Sequence, residues 1–225
     1  MLRVILTYEE FKIAKKKLIG IFGGTFDPIH NGHVQVIEDF LDLIDLDELI
    51  VLPNGIPPHK EKRINEVNKL KLVSLALKHI NNLRIDKREI LKKSPSYAYQ
   101  TFKEIQKENP DDDLVWIMGL DSFLKIETWY KYENFLKEVN LLILERPGYK
   151  INETSFINDL LASKRILNFH EFKNAQGKIF LLQINPVEIT STKIRNLIFN
   201  NEDASALLNK DVYQFIKVKN LYKEI

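Results

Sequence analysis

The sequence has no cysteine among its 225 residues, which excludes disulfides, thiolate nucleophiles and cysteine-based zinc sites. No apolar run approaches the roughly 18–20 residues that span a bilayer. There is no internal repeat, low-complexity tract or convincing linker. Neither sign of charge is in excess: 33 Lys and Arg against 31 Asp and Glu leave a net +2. Whole-molecule electrostatics therefore give no case for nucleic acid or an anionic membrane, and an anionic ligand must be held by local groups.

What is present fits one globular α/β domain, with 44% hydrophobic and 28% charged residues and a chain long enough to bury a sizeable core. Residues 1–17, MLRVILTYEEFKIAKKK, carry acids and lack a small-residue cleavage site. They do not read as a secretory signal, and the cytoplasm is the expected compartment. They read instead as a strand or helix flanking a single domain over 18–225. Lys15, Lys16 and Lys17 make a weak patch beside the clusters of about four to eight basic residues that bind anionic lipid.

The rest is organised around Leu18–His33, LIGIFGGTFDPIHNGH. A short apolar run predicts a buried first strand. Gly23-Gly24 follows, where positive φ and close ligand approach are available. Asp27-Pro28 punctuates a loop, and Val34, Ile37, Leu41 and Ile44 repeat with helical spacing. A strand, a glycine turn and a helix N-terminus together form an anion site, because unpaired N–H groups and the helix dipole face the ligand.

Further strands are expected at 49–52, 83–85, 114–118, 140–144 and 179–183. Helices are expected around Leu70, Val73, Leu77 and Ile80, around Tyr99, Phe102 and Ile105, around Trp129 and Tyr132, at 157–161, after Ile189, and around Val212, Phe215 and Ile216. Asp111-Asp112-Asp113 reads as a solvated turn rather than a metal site, since consecutive acids point in different directions. Strands alternating with helices predict a Rossmann-like, doubly wound parallel sheet with a small C-terminal helical portion. Ligands of such sheets sit at the strand C-termini.

GIFGGTFDPIHNGH resembles the opening of the nucleotidyltransferase superfamily marked by a His-x-Gly-His motif. PNGIPPHK, SPSYAYQTF, WIMGLDSFLKIETWYKYE, LERPGY and EITSTKIRNLI narrow the resemblance to the bacterial nicotinate-nucleotide adenylyltransferases, in that family's order. It spans Leu18 to about Tyr222. The chain departs from the family in three places: Ala98 stands where threonine is common, Thr190 replaces a frequent serine, and the leader is longer.

The resemblance implies transfer of an adenylyl group from ATP to nicotinate mononucleotide, giving the dinucleotide and pyrophosphate by in-line attack without a covalent intermediate. The attacking phosphate is already anionic, so no protein base is required, and the sequence shows no Ser-His-Asp or paired-carboxylate set. Catalysis is then alignment and charge neutralisation. His30, His33 and Arg195 are the implied catalytic residues. Gly23, Gly24, Thr25, Phe26, Asp121, Arg146, Ser191 and Thr192 complete the implied ATP site. Thr25, His59, Lys60, Tyr97, Ala98, Trp129 and Tyr130 form the implied mononucleotide site.

Each role has a plainer counterpart. The histidines could cap and pack, or ligate a metal for which no third ligand is apparent. Binding triphosphate should favour their protonation, against the helix dipole. Asp27 could bind magnesium or brace its loop, Asp121 could meet ribose or adenine or cap a helix, and Arg146 could face ATP or only fix a turn. Trp129 could stack on the pyridinium ring or belong to the core. Ala98 is harmless if the pocket uses its N–H. No protein metal site is expected; Mg²⁺ would be carried mainly by substrate phosphates and water. A homodimer is compatible with the resemblance. The rival readings are a related adenylyl- or cytidylyltransferase with another acceptor, such as a pantetheine phosphate, and a nucleotide-sensing module without turnover.

Overall fold

In a computed structural model the described residues are 16–55, 64–92, 94–145, 155–185 and 188–223. Six strands form one sheet: β1 (Leu18–Gly24), β2 (Glu48–Pro53), β3 (Leu83–Ile85), β4 (Asp113–Gly119), β5 (Asn140–Glu145) and β6 (Ile179–Gln183). Their order is β3-β2-β1-β4-β5-β6 and every pairing is parallel. The connections hold α1 (Asn31–Leu43), α2 (Glu66–Leu77), α3 (Arg88–Leu91), α4 (Ala98–Glu108), α5 (Leu120–Phe123), α6 (Tyr132–Glu138) and α7 (Ser155–Lys164). After β6 come α8 (Ser191–Phe199) and α9 (Lys210–Val218).

Alternation along the strands feeds two cores. Leu18, Phe22, Leu49 and Val51 meet α1, α2, α8 and α9 through Ile37, Phe40, Val73, Ile194 and Ile216. Ile19, Ile21, Ile50 and Leu52 face the other way, to Phe102, Ile105, Phe135 and Ile157 of α4, α6 and α7. A strand buried on both faces needs apolar residues at every position, and β1 and β2 read that way. The chain builds outward from β1 to β3, then returns to the other side of β1 as β4. The crevice between the C-termini of β1 and β4 is thus the topological switch point.

On α1, Ile37 and Phe40 are fully buried, Val34 and Leu41 pack against the same core, and Ile44 is buried just past the helix end, as the spacing predicts. Two expectations are corrected. Trp129 is not in a helix; it caps the C-terminus of a 3₁₀ turn, Ile126–Thr128, and α6 begins at Tyr132. The aspartates are not simply a solvated turn. Asp113 is buried, pairs with Lys16 at 2.8 Å and accepts the Asn174 N–H with both oxygens. Asp112 accepts from the Lys17 N–H at 2.9 Å, which ties the entry to β1. Residues 1–15 lie outside the described residues.

Candidate active site

The N-terminus of α1 is held by a reciprocal cap. His30, at the N-cap, accepts the His33 N–H through Nδ1, and His33 Nδ1 accepts the His30 N–H, both at 3.3 Å. The rings stack with centroids 3.7 Å apart. Because each Nδ1 is an acceptor, each neutral ring must carry its proton on Nε2, by the logic of the hydrogen-bond pattern. The capping and functional roles are therefore compatible: one nitrogen caps, and the other is a donor for the cavity that both residues line.

Burial lowers His30 to about 4. Burial first, and repulsion from His30 second, lower His33 to about 3. Both rings are thus neutral donors at pH 7, and protonation is disfavoured until a polyanion arrives. In an unfolded chain they bind protons near pH 6.5, so below that value the unfolded state takes up more protons than the folded one. Stability of the ligand-free protein is therefore expected to fall as pH drops from about 6.5 towards 4. Urea unfolding across this window checks it. The slope should flatten in a His33→Asn variant, and an unchanged slope would refute the assignment.

Between β1 and α1 the backbone is shaped by an aromatic side chain. Positive φ falls at Phe26 (46°) and at neither Gly23 nor Gly24, contrary to the expectation for a glycine turn. A Cβ at Gly24 would lie 2.5 Å from the Phe26 ring, so Gly24 is the space into which that ring folds. The buried Phe26 ring then meets His33 edge-on at 5.1 Å. Thr25 is exposed on the loop. The Asp27–Pro28 bond is cis.

The far end of the chain clips this loop. Ser191 Oγ donates to the Pro28 carbonyl at 2.9 Å, and Arg195 Nη1 donates to the Asp27 carbonyl at 2.5 Å. Arg195 Nη2 also donates to Thr192 Oγ1 at 2.9 Å. Thr190 is the N-cap of α8, accepting from the Lys193 N–H. Asp27 is braced by the Tyr222 hydroxyl at 2.8 Å rather than by N–H groups of its own loop. Thr190 and Ser191 line the cavity beside the histidines; Thr192 and Arg195 do not. The expected phosphate clamp is thus divided here, with Arg195 holding the loop that carries His30.

Two cavities open at the switch point. The first, about 350 Å³, has His30, His33, Asp121, Thr190 and Ser191 over an apolar bed that includes Phe22, Val36, Leu120 and Ile184. Asp121 is not an N-cap, because that position of α5 is Gly119. A flat apolar slot with one carboxylate and two imidazole donors suits a nucleoside bearing phosphates. The second cavity, about 370 Å³, is bounded by Gly23, Asn54, Glu89, Tyr97, Ala98 and Trp129, among others including Tyr130. Gly119 lines both. An added Cβ there would meet nothing within 4 Å, so its face is open space.

Trp129 is half-buried, one side against Phe135 with centroids 5.5 Å apart, and it also walls the second cavity. Core packing and cavity lining coexist in it. Tyr97 and Tyr130 pair at 4.6 Å. Tyr97 is the N-cap of α4 and makes no side-chain cap bond, and Ser96, Tyr97 and Ala98 line the cavity at that end of the helix.

His59, Lys60 and Arg146 lie outside the described residues. Asn54, Glu89, Ser122 and Thr128 line the second cavity without having been singled out in the sequence. Glu89 had a signal, as a carboxyl inside the apolar spacing of a short helix. Lys69 is also buried, donating to the Asn54 carbonyl at 3.2 Å. Among the described residues no group of three His, Asp or Glu side chains could hold a metal ion, and no helix is long and apolar enough to cross a membrane.

Residues 21–197 match the Cytidylyltransferase-like family. A nicotinate-nucleotide adenylyltransferase of Psychromonas ingrahamii is 33% identical over 211 residues, covering 93% of this chain and 99% of that protein. One from Shigella boydii is 34% identical, covering 92% of this chain and all of that protein (100%). The solved nicotinic acid mononucleotide adenylyltransferase of Plasmodium falciparum, in complex with NaAD, superposes with a TM-score of 0.70 at 19% identity, over 92% of this chain and 98% of that one. A six-stranded parallel sheet with paired histidines at its switch point, and full-length identity above 30% to named relatives, converge: the chain belongs to the nicotinate-nucleotide adenylyltransferase family.

Proposed function

We propose that the protein transfers the adenylyl group of ATP to nicotinate mononucleotide, releasing pyrophosphate and forming nicotinate adenine dinucleotide for NAD biosynthesis. The observation that carries this is the pair of cavities meeting at Gly119, one beside the stacked histidines and one walled by Trp129. A phosphate oxygen of the mononucleotide attacks the α-phosphorus of ATP. The new P–O bond forms as the bond to the β-phosphate breaks, and the electron pair leaves with pyrophosphate. No proton has to move.

The chain's part is placement and charge stabilisation. His30 and His33 donate Nε2–H to the triphosphate, reinforced by the dipole of α1. Asp121 accepts from the adenosine side, and Thr190 and Ser191 close the same cavity. Arg195 acts by holding the Asp27–Pro28 segment in register with the histidines. Mg²⁺ fits as a passenger of the substrate phosphates. Asp27 is engaged by Tyr222, and the site offers no cluster of carboxylates among the described residues. When bound it would neutralise charge on the departing pyrophosphate.

The uncapped N-terminus of α4 favours the nicotinate carboxylate over an uncharged amide, since its N–H groups and dipole both attract an anion. Ala98 would serve through its N–H, leaving no need for a hydroxyl. The pyridinium ring stacks on Trp129, where ring contact contributes about 0.5–1.5 kcal/mol plus a cation–π term.

The test is pyrophosphate release with ATP, Mg²⁺ and, in parallel, nicotinate mononucleotide, nicotinamide mononucleotide and phosphopantetheine. Turnover is expected with the first and much less with the others; none with any of them between pH 6 and 9 would leave a sensing module. Trp129→Ala should raise KM for the mononucleotide about tenfold and leave KM for ATP alone. An unchanged mononucleotide KM would return Trp129 to a purely structural role.

A further inference from the structure

Glu89 is the only carboxylate among the described residues that line the second cavity, and the reaction above does not use it. It sits on α3 and is 6% exposed. Its Oε1 accepts from the Thr101 hydroxyl of α4 at 2.7 Å. Oε2 takes no hydrogen bond from any described residue, in a cavity that Glu89 helps to form. An ionised carboxylate has only acceptors to offer. Because the side chain is largely withdrawn from bulk water, a donor that reaches the remaining oxygen from the cavity would be held by a charge-assisted hydrogen bond.

The position of Glu89 selects the donor. Its backbone lies beside Gly55, where an added Cβ would come within 2.8 Å of the Glu89 carbonyl, and Asn54 in turn lies against Gly23. A mononucleotide with its ring at Trp129 must reach with its phosphate past Gly23 and Gly119 towards the histidines. On that path the sugar would span the interval, past Asn54 and Glu89, which line the same cavity. Phosphate and nicotinate carboxylate are anions and would be repelled by Glu89. The ribose cis-diol is the donor within that path.

We propose that Glu89 is a specificity-determining residue for the acceptor, its free oxygen accepting from a ribose hydroxyl of the pyridine mononucleotide. This rests on the acceptor reading given above. Burial holds the Glu89 carboxyl above its ordinary pKa, opposed by the Thr101 hydroxyl and by Lys92, and a hydroxyl donor would oppose it further. The arrangement selects a ribose-bearing acceptor over deoxyribose analogues and over phosphopantetheine, which has no sugar at that place.

The experiment compares kcat/KM for nicotinate mononucleotide and its 2′-deoxy and 3′-deoxy analogues in wild type, Glu89→Gln and Thr101→Val. In wild type one analogue should be about 10–100-fold poorer, the range of a hydrogen bond to a charged group. Glu89→Gln should lose a similar factor with the natural acceptor. It should then feel the same missing hydroxyl less, by a factor of about 2–10, because the amide oxygen of Gln still accepts but only as a neutral group. KM for ATP should not move. Thr101→Val breaks the tie between α3 and α4 but keeps the free oxygen, so it should keep the wild-type penalty.

Equal use of both analogues by wild type would overturn the proposal, a readout that needs no variant to fold. An undiminished penalty in Glu89→Gln would overturn it too, as would loss of the penalty in Thr101→Val, which would make the role structural. Failure of the wild type to use nicotinate mononucleotide at all would instead defeat the acceptor reading.

Discussion

Replacing His33 by asparagine is expected to lower kcat about 10²–10³-fold while leaving the urea midpoint near that of wild type. Asparagine places its Oδ1 where Nδ1 of the imidazole lies, so the acceptor for the His30 N–H survives. The Nε2–H is lost, and with it the donor that strengthens as charge develops on the triphosphate. His33→Ala removes both groups, so it should show the same loss of turnover and in addition about 1 kcal/mol less stability, the usual cost of a helix cap. Pyrophosphate release at saturating substrates, with urea unfolding of both variants, separates the two functions of one ring. A His33→Asn enzyme within tenfold of wild type would falsify the donor role.

Gly119→Val is expected to be nearly as damaging, for a different reason. The backbone at Gly119 has φ −73° and ψ 154°, a conformation valine adopts readily, and nothing packs against the position where its Cβ would go. The fold should therefore tolerate it. The added isopropyl group enters the junction of the two cavities, where phosphate and α-phosphorus have to meet. Misplacing reacting groups by an ångström typically costs on the order of 10²-fold, and turnover should fall at least that far with the thermal midpoint unchanged. Gly119→Ala should be intermediate. Normal turnover in the valine variant would show that the reactants meet elsewhere.

The strands were legible because parallel strands buried on both faces must be continuous apolar runs, as Leu18–Phe22 and Leu114–Met118 are. Period-3.6 reasoning was less sure wherever a helix is covered broadly. On α1 it found Ile37 but not Phe40, and on α2 it passed over the buried Lys69. Trp129 was drawn into a helix because the neighbouring Tyr132 has helical spacing; a 3₁₀ turn of three residues leaves too short a pattern to detect. At the site, His30 and His33 were readable because residues three apart at a helix start must share one end. Glu89 and Asn54 were not, because they arrive from different connections and meet only when α3 packs against the β2 turn.

The sequence by itself determined the order of strands and helices, the glycine-rich entry to α1, the spacing of the two histidines and the motifs that mark the family. These are local properties, set by periodicity and by which residues adjoin. The tertiary structure alone decided how far the two histidines are withdrawn from water, and so that both rings are neutral at pH 7. It also decided that Arg195 and Tyr222 brace the Asp27 loop from 168 and 195 residues away, and that two cavities share one glycine. The physical reason is that these depend on burial and on contacts between residues far apart in the chain, which neither period nor propensity encodes.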